Sequence, residues 1–505
     1  MKIPRFLRFG VPGRIPVLLL FLAIVPVNLS SLFAHSGKPK YHVVIDTDGA
    51  IDDLRALALF LAGNDIRVLA ITTSQGSLGP EETAAKVREL LAQLHHEGIP
   101  VGVGDSLDRD LPSWASFSRD VPWGIGGAGA PVPKAPGSAV ELLTELLAGY
   151  PQMVTLVALG SLKTYADVLT RHPGLVGNVE RILWYNEDPI ETGFNHGCAP
   201  EATATLLALG IPVHMVGNSS TAYPVDAAYL DAVKDADSPY GQVIASAHEH
   251  PAVRDRLAVQ HLQLWDDLLP LYLTAPLLFD KAERSGYTAV SLNPGVPAEF
   301  LSSAIRQLLR SSREANNRVF GSFPLDSSLY LPAYAGILGE TVRRFGAVEW
   351  KAICLTNEIH GHTGIYSIVG AKAGIRAMEY FHVGVNNLEV VSHAGSNPPV
   401  SCFNDGLQIG TGSTIGQGLI TLLPGDTPVA VADFYFLDRG IRLSVKPEIA
   451  RQMREEIAEG VARYGALTDP YWRYVEDLAI RYWSQMDRNE IFLIEVLDPP
   501  APDQS

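Results

Sequence analysis

The chain has 505 residues, of which 47% are hydrophobic and 19% charged. This composition is ordinary for a globular protein with a large buried core, and it excludes a disordered, collagen-like or fibrous chain. The formal net charge of −16 argues against a general affinity for nucleic acid or anionic lipid. Three scattered cysteines exclude a disulfide framework.

The first 34 residues are typical of a secretory signal. Four basic residues precede the apolar run 15–27, which is shorter than the roughly 20 residues of a membrane-spanning helix. We therefore expect a signal peptide over residues 1–34 and a periplasmic or extracellular protein. An uncleaved N-terminal membrane anchor is the alternative, because Leu32 fits the small-residue cleavage rule poorly. The pattern predicts no other contact with a membrane.

Residues 41–216 alternate between strand-like and helix-like patterns. Short apolar, β-branched runs predict strands, and apolar residues at helical spacing predict the helices between them. The predicted strands cover 42–46, 66–72, 99–103, 153–159, 179–185 and 211–216, and the predicted helices cover 53–63, 81–96 and 201–209, with others beginning at 138 and 162. This order predicts an α/β fold, a Rossmann-like and mostly parallel sheet flanked by helices.

The alternation ends near Phe279, and we place a domain boundary near residue 315. The remainder predicts a smaller α+β domain, with helices over 334–345, 371–381, 447–463 and 469–483 and strands over 388–393 and 429–436. The predicted domains are therefore 35–315 and 316–485. Residues 486–505 are expected to form a C-terminal strand and a disordered tail.

An acidic loop follows the first predicted strand. Its carboxylates, four within eight residues, belong to Asp46, Asp48, Asp52 and Asp53. Converging carboxylates repel one another unless a cation lies among them, and hard cations such as calcium choose oxygen ligands. Helix capping by Asp52 or Asp53 is the structural alternative, although one acid would suffice for it. The loop favours a metal site.

This loop resembles the signature of the inosine-uridine nucleoside hydrolase family, Asp-x-Asp-Pro-Gly-x-Asp-Asp before an apolar helix, with Gly49-Ala50 in place of Pro-Gly. The resemblance extends over about residues 41–310 and includes the segments 68–73, 156–162, 194–202 and 265–279. It implies a nucleoside hydrolase-like domain. It also implies calcium-dependent cleavage of the N-glycosidic bond in a nucleoside or related N-riboside.

The same resemblance assigns metal ligands and a general base. Asp48, Asp53 and Asp266 match calcium-binding aspartates, and the backbone carbonyl of Lys163 matches a further ligand. Asp48 also matches the residue that activates the attacking water. The implied reaction is displacement at the anomeric carbon by a water that the metal orients.

For the substrate, the resemblance matches Asp52 and Asn195 to residues that hold the ribose, and it places Asn186 as a second such asparagine. Trp265, directly before Asp266, is suited to stacking on an aromatic base but cannot protonate it. The chain departs from the family pattern near the leaving base, at Ser77, Gly193 and Trp265.

A second resemblance covers about residues 320–480. The segment His360-Gly-His362 and a later Cys-x-x-Asp motif beginning at Cys402 are similar to the family of E-type subunits of formylmethanofuran dehydrogenase, with Gly364 in place of a cysteine. Histidine and thiolate are ligands for zinc and other transition metals, so the resemblance implies a second metal site at these two histidines and Cys402.

The structural alternative for the second site is two loop histidines and a buried thiol. For the glycine-rich run 406–418, tight turns between strands are favoured over a backbone cradle for an anion.

The sequence leads to one main hypothesis and two alternatives. The main hypothesis is an exported, calcium-dependent N-glycosyl hydrolase whose partner is a small-molecule nucleoside or N-glycoside. The first alternative is a nucleoside- or ribose-binding or sensing protein without turnover, and the second is metal-dependent chemistry in the C-terminal domain. The preferred base and the formation of a homo-oligomer stay open.

Overall fold

The computed structural model describes residues 39–124, 137–218, 223–315, 317–424 and 428–498. The predicted signal peptide and the tail 499–505 lie outside these ranges. The described residues belong to one compact unit. Within the same ranges, no helix is long and apolar enough to cross a membrane.

The first half is built on a large sheet. Its strands are β1 (Tyr41–Thr47), β2 (Ile66–Thr73), β3 (Val101–Val103), β4 (Gly137–Ser138), β5 (Val154–Ala158), β6 (Val179–Tyr185), β7 (Val213–Val216), β8 (Phe279–Glu283) and β9 (Thr288–Leu292). In the described part of the chain they lie in the order β4-β3-β2-β1-β5-β6-β7-β9-β8. Neighbouring strands are parallel except β8 and β9.

Helices cover both faces of this sheet. They are α1 (Ile51–Ala62), α2 (Pro80–Gln93), α3 (Ala115–Asp120), α4 (Ala139–Gly149), α5 (Lys163–Arg171), α6 (Phe194–Cys198), α7 (Pro200–Ala208), α8 (Ala227–Asp235), α9 (Pro239–Glu249), α10 (Pro251–Ala258), α11 (Leu268–Thr274) and α12 (Ala298–Ser311). One core packs α1, α9, α11 and α12 on the sheet, and the core on the opposite face packs α4, α5 and α7. The predicted α/β architecture is confirmed.

The second half contains a smaller sheet and its own core. Its elements are α13 (Pro332–His360), α14 (Ile365–Phe381), β10 (Glu389–Ser392), α15 (Phe403–Thr411), β11 (Ile420–Leu422), β12 (Val431–Phe436), β13 (Arg439–Val445), α16 (Pro447–Tyr464), α17 (Asp469–Gln485) and β14 (Phe492–Leu497). The strand order is β11-β10-β12-β13-β14. Only β10 and β11, among these described pairs, run parallel. The predicted smaller α+β domain is confirmed.

Short 3-10 helices complete the described secondary structure, at Pro173–Asn178, Ile190–Thr192, Pro276–Leu278, Ser327–Leu329, Val400–Cys402 and Ile415–Gln417.

Two predictions for the second half are wrong. The helix predicted to end at 345 continues as α13 to His360, across a break at Gly346, whose φ is +86°. The pattern of the glycine-rich run predicts turns between strands, but its first part is the helix α15. A Cβ at Gly406 would lie 2.0 Å from the Ser367 carbonyl oxygen of α14. The glycines therefore allow two helices to pack with their backbones in contact.

Candidate active site

The acidic loop lies at the carboxyl end of β1, near the middle of the first sheet. Gly49 adopts φ +91°, a left-handed conformation that favours glycine, and this turn leads directly from Asp48 into α1. Asp52 and Asp53 occupy the first turn of α1, where the helix dipole favours negative charge. The backbone of one short turn thus brings three carboxylates to the same edge of the sheet.

Asp53 is held in place by the loop that precedes it. Its carboxylate accepts hydrogen bonds from the Asp48 amide (3.0 Å), the Ala50 amide (3.1 Å) and the Thr47 hydroxyl. These donors lower the pKa of Asp53, but burial has the larger effect and raises it. Asp53 caps the helix and still presents its carboxylate to the neighbouring acids, so capping and metal binding are compatible functions of this residue.

Asp266 joins the acidic loop from a distant part of the chain. It lies just before α11, and one carboxylate oxygen from each of Asp52, Asp53 and Asp266 lies within 4.8 Å of the other two. The Oδ1 atom of Asp266 is buried and has no hydrogen-bond partner among the described residues. Burial and the charges of the neighbouring aspartates raise the pKa of Asp266 well above its ordinary value.

These residues fit a hard divalent cation. Burial and the charge of Asp53 also raise the pKa of Asp52, to about 7. Without a cation, clustered buried carboxylates are stable only when some of them are protonated. A calcium ion would neutralise them and would bond the orphaned Asp266 oxygen, since calcium takes several oxygen ligands from carboxylates and carbonyls.

Asp48 is buried beside this cluster but is not one of its three members. Burial, followed by the charges of Asp53 and Asp52, raises the pKa of Asp48 well above its ordinary value, and hydrogen bonds from Ser77 partly offset this. The side chain fits closely against two glycines. A Cβ at Gly76 would lie 2.0 Å from its Oδ2 atom, and one at Gly160 would lie 3.0 Å from its Cβ atom. The assignment of Asp48 as a metal ligand stays a prediction.

A buried ion pair connects the two segments that carry the cluster. Arg55 of α1 and Asp267, next to Asp266, are fully buried, and their closest charged atoms lie 2.9 Å apart. Tyr229 also donates a hydrogen bond to Asp267, at 3.1 Å. Breaking such a buried pair costs about 3–5 kcal/mol. The pair therefore holds the start of α1 against the start of α11.

Lys163 is the first residue of α5, and its ammonium group pairs with Asp167. The expected role of its backbone carbonyl as a metal ligand stays a prediction.

The two predicted ribose-binding asparagines differ in their surroundings. Asn195 donates its amide hydrogens to the carbonyl oxygens of Leu159 (2.7 Å) and Tyr185 (3.0 Å), while its Oδ1 accepts no hydrogen bond within the described part of the chain. The Asn186 amide donates to Glu187 and Ile190, and its Oδ1 accepts from the His196 amide. Asn186 thus braces its own loop, while Asn195 keeps an oxygen for a ligand.

Gly193 leaves no space for a longer side chain. A Cβ at this position would lie 1.9 Å from Asn186 Oδ1. Asn186 therefore fills the space that any side chain at position 193 would need.

An aromatic cluster near Asp48 was not predicted from the sequence. The Trp114 indole N–H donates to the Ser77 hydroxyl at 3.2 Å, and Ser77 in turn hydrogen-bonds Asp48. Trp114 is 38% exposed, and its ring centroid lies 5.0 Å from that of Phe194. Trp265 is half-buried against the core of the α1 face. The position of Trp114 in a loop, far from Ser77 in sequence, left no periodic signal for this cluster.

In the second half, the structure brings together two of the three predicted metal ligands. The rings of His360 and His362 lie 4.2 Å apart between centroids, and His362 contacts Trp472. His360 Nδ1 bonds Asp405 at 2.8 Å, which leaves its buried Nε2 without a partner in the described chain. A carboxylate behind a histidine is typical of metal-binding histidines.

The third predicted ligand, Cys402, does not form a metal-binding group with these two histidines. Among the described residues, only Asp52, Asp53 and Asp266 form a group of three ligand atoms close enough for one ion, so Cys402 does not complete a set with the two histidines. A Cβ at Gly364 would lie 2.9 Å from His360 Nε2. The described side chains therefore do not fit a complete transition-metal site, and the second metal stays a prediction.

Known proteins resemble both halves of the chain. The profile of the family described as inosine-uridine preferring nucleoside hydrolase matches residues 43–319. The profile described as FmdE, molybdenum formylmethanofuran dehydrogenase operon, matches residues 359–492. The pyrimidine-specific ribonucleoside hydrolase RihA of Salmonella paratyphi B is 33% identical over 216 residues, which cover 40% of this chain and 68% of that protein.

Solved structures of nucleoside hydrolases align with about half of the chain. A purine-preferring ribonucleoside hydrolase from Gardnerella vaginalis has a TM-score of 0.46 and 16% identity, covering 54% of this chain and 99% of its own. An inosine-uridine preferring nucleoside hydrolase from Bacillus anthracis has a TM-score of 0.43 and 16% identity, with the same coverage. The first family profile spans more than half of the chain. The chain therefore belongs to the inosine-uridine preferring nucleoside hydrolase family, which comprises metal-dependent hydrolases of N-glycosidic bonds, and it carries an FmdE-like segment in its second half.

Proposed function

We propose that this chain is a calcium-dependent hydrolase that cleaves a nucleoside, or a related N-riboside, into ribose and base. The observation that carries the proposal is the cluster that Asp52 forms with the buried Asp53 and Asp266, with an unpartnered Asp266 oxygen and with Asp48 beside it. Calcium bound there supplies a fixed position for the attacking water and for sugar hydroxyls, and it lowers the pKa of that water.

Asp48 is the general base of the proposed reaction. As the water oxygen bonds to the anomeric carbon, its proton passes to the Asp48 carboxylate, and the carbon–nitrogen bond breaks with its electron pair leaving on the base. Gly76 and Gly160 hold Asp48 in one position. Because the transition state has oxocarbenium character, the surrounding carboxylates also stabilise the positive charge that develops on the sugar.

The leaving group is proposed to be an aromatic base. Trp114 and Phe194 present aromatic surface on the Asp48 side of the site, and an aromatic ring is bound well by offset or edge-to-face stacking. Trp265 adds a further aromatic ring next to Asp266. Pyrimidine nucleosides are the first substrates to try, since RihA of Salmonella paratyphi B, one of the relatives, is a pyrimidine-specific hydrolase.

The test is reducing-sugar release from a panel of pyrimidine and purine nucleosides, with calcium and after chelation. We expect release that chelation abolishes and that Asp48→Asn lowers at least about 100-fold. Asp231→Asn, on the exposed side of α8, is the matched control and is expected to keep full activity. Ribose and calcium binding without release from any nucleoside would instead establish a binding or sensing protein.

We further propose that the protein is exported, on the basic and apolar pattern of residues 1–34. Expression of the full chain, followed by fractionation and mass determination, tests this. A mature N-terminus near residue 35 in an exported fraction supports it, whereas an intact chain in the cytoplasm contradicts it.

A further inference from the structure

The last residue of β6, Tyr185, lies at the edge of the candidate site. Leu183 and Tyr185 belong to the core on the sheet face that α1 and α11 cover, whereas Ile182 and Trp184 belong to the core on the opposite face. Side chains alternate between the two faces of a strand. Tyr185 is therefore at the carboxyl end of its strand, on the face where α1 begins with Asp52 and α11 follows Asp266.

Tyr185 lies among the elements that carry these carboxylates, because α11 packs against β6. Burial raises the pKa of Tyr185 above its ordinary value, and the charges of Asp266 and Asp52 add to this effect. Its backbone carbonyl is fixed by the Asn195 amide at 3.0 Å. The backbone of Tyr185 is thus tied to Asn195, one of the predicted ribose-binding residues.

The hydroxyl of Tyr185 has no hydrogen-bond partner among the described residues, although the residue is half-buried. Several tyrosines of this half use their hydroxyls. Tyr165 donates to the Val157 carbonyl, Tyr229 donates to Asp267, and Tyr240 bonds His96. The Tyr185 O–H is a donor that is held near the site without a protein acceptor.

The residues predicted to bind the sugar offer many hydrogen-bond acceptors and few hydrogen-bond donors. Ionised aspartates only accept hydrogen bonds. The Asn195 and Asn186 amide hydrogens are already used by backbone carbonyls, and Gly193 contributes no side chain. A sugar hydroxyl both donates and accepts, so ribose bound among carboxylates keeps lone pairs that need a donor.

We propose that Tyr185 donates a hydrogen bond to one ribose hydroxyl and makes this site selective for sugars that carry it. This inference rests on the proposed function of the site. Tyr185 would act on substrate binding and specificity, whereas the proton transfer remains with Asp48. Because the hydroxyl has no partner to lose, Tyr185→Phe is expected to fold normally.

The test pairs Tyr185→Phe with substrates that lack one hydroxyl. For the parent nucleoside, the substitution is expected to lower kcat/KM about tenfold, mostly through KM, with unchanged calcium affinity. For one of the 2′-, 3′- or 5′-deoxy analogues, it is expected to change kcat/KM less than about twofold, since the hydroxyl partner is already absent. Tyr287→Phe, whose hydroxyl bonds Asp188, is the matched control and is expected to behave as wild type.

An equal loss with the parent nucleoside and all three analogues would overturn the proposal, and so would a fall in calcium affinity that explains the loss. Calorimetric binding of D-ribose and its three deoxy forms, in wild type and Tyr185→Phe, gives the same comparison without turnover. No nucleoside cleavage with hydroxyl-selective ribose binding would refute hydrolysis and retain the role of Tyr185. If wild type cleaves nucleosides and Tyr185→Phe has no hydroxyl-selective effect, hydrolysis is retained and the role of Tyr185 is refuted.

Discussion

Substitution of Gly76 by alanine tests whether the position of Asp48 controls catalysis. The new Cβ would lie 2.0 Å from Asp48 Oδ2 and 2.6 Å from its Cγ. To reach 3.4 Å, where ordinary van der Waals contact begins, the carboxylate must move by about 1.4 Å. Misplacement of a catalytic group by about 1 Å can cost roughly 100-fold in rate. We therefore expect Gly76→Ala to lower kcat at least about 100-fold.

The same substitution separates the two roles that the family resemblance gives to Asp48. The cluster of Asp52, Asp53 and Asp266 does not include Asp48. If Asp48 is chiefly the general base, calcium affinity measured by calorimetry should change less than about threefold while kcat falls. If Asp48 is also an essential ligand, calcium affinity and kcat should fall together.

Thermal unfolding and a control variant complete this assay. Overpacking costs about 1–3 kcal/mol, so the melting temperature of Gly76→Ala should fall by a few degrees while the protein stays folded at 25 °C. Gly149→Ala, at the end of α4, is the control, because a Cβ there would contact nothing within 4 Å. A Gly76→Ala protein that keeps kcat within about threefold of wild type would refute the idea that the close fit around Asp48 matters for catalysis.

Three further predictions concern the charged groups. Asp266→Asn is expected to raise the melting temperature of the chelated protein, because it removes one repelling carboxylate. The same substitution is expected to abolish stabilisation by calcium. A lower melting temperature of the chelated variant would contradict this reasoning. The pKa of Asp52 is raised to about 7, so its contribution to stability without metal is present below pH 4 and lost as the pH rises to 7. The calcium-induced rise in melting temperature should therefore grow from pH 5 to pH 8, and a constant rise would contradict it. In the second half, the described side chains do not complete a transition-metal site, so cobalt(II) is expected to give no thiolate absorption band; an intense band that is lost in His360→Ala would show that His360 and Cys402 are ligands.

The sequence was sufficient for six of the nine described strands of the first sheet and for the position of the acidic loop, because both depend on local patterns. Apolar runs predicted β1, β2, β5 and β6 to within about two residues. In a parallel sheet, the loop after the first strand must open at the carboxyl edge, so the position of Asp48, Asp52 and Asp53 followed from their place in the chain. Asp266 needed the family resemblance, since more than 200 residues separate it from the loop.

The rest depends on contacts that no local pattern contains. The Trp114 indole meets Ser77 through a loop of irregular structure, and Asp405 meets His360 from 45 residues away. Glycine has two different structural roles in the second half. Gly406 serves close helix packing, whereas Gly346 breaks α13 through a positive φ. Composition alone does not distinguish these uses, because both follow from the missing Cβ atom.

Contacts between the halves explain why two family segments form one compact unit. His382 donates its Nε2–H to the Leu61 carbonyl near the end of α1 and accepts from the Val68 amide in β2 through Nδ1, and burial lowers its pKa to about 3. The opposite end of α1 carries Asp52 and Asp53, and the loop after β2 carries Gly76. Regular elements with continuous hydrogen bonding move nearly as rigid bodies, so a contact at one end constrains the other. The second half therefore helps to hold in position the elements from which the acidic site is built.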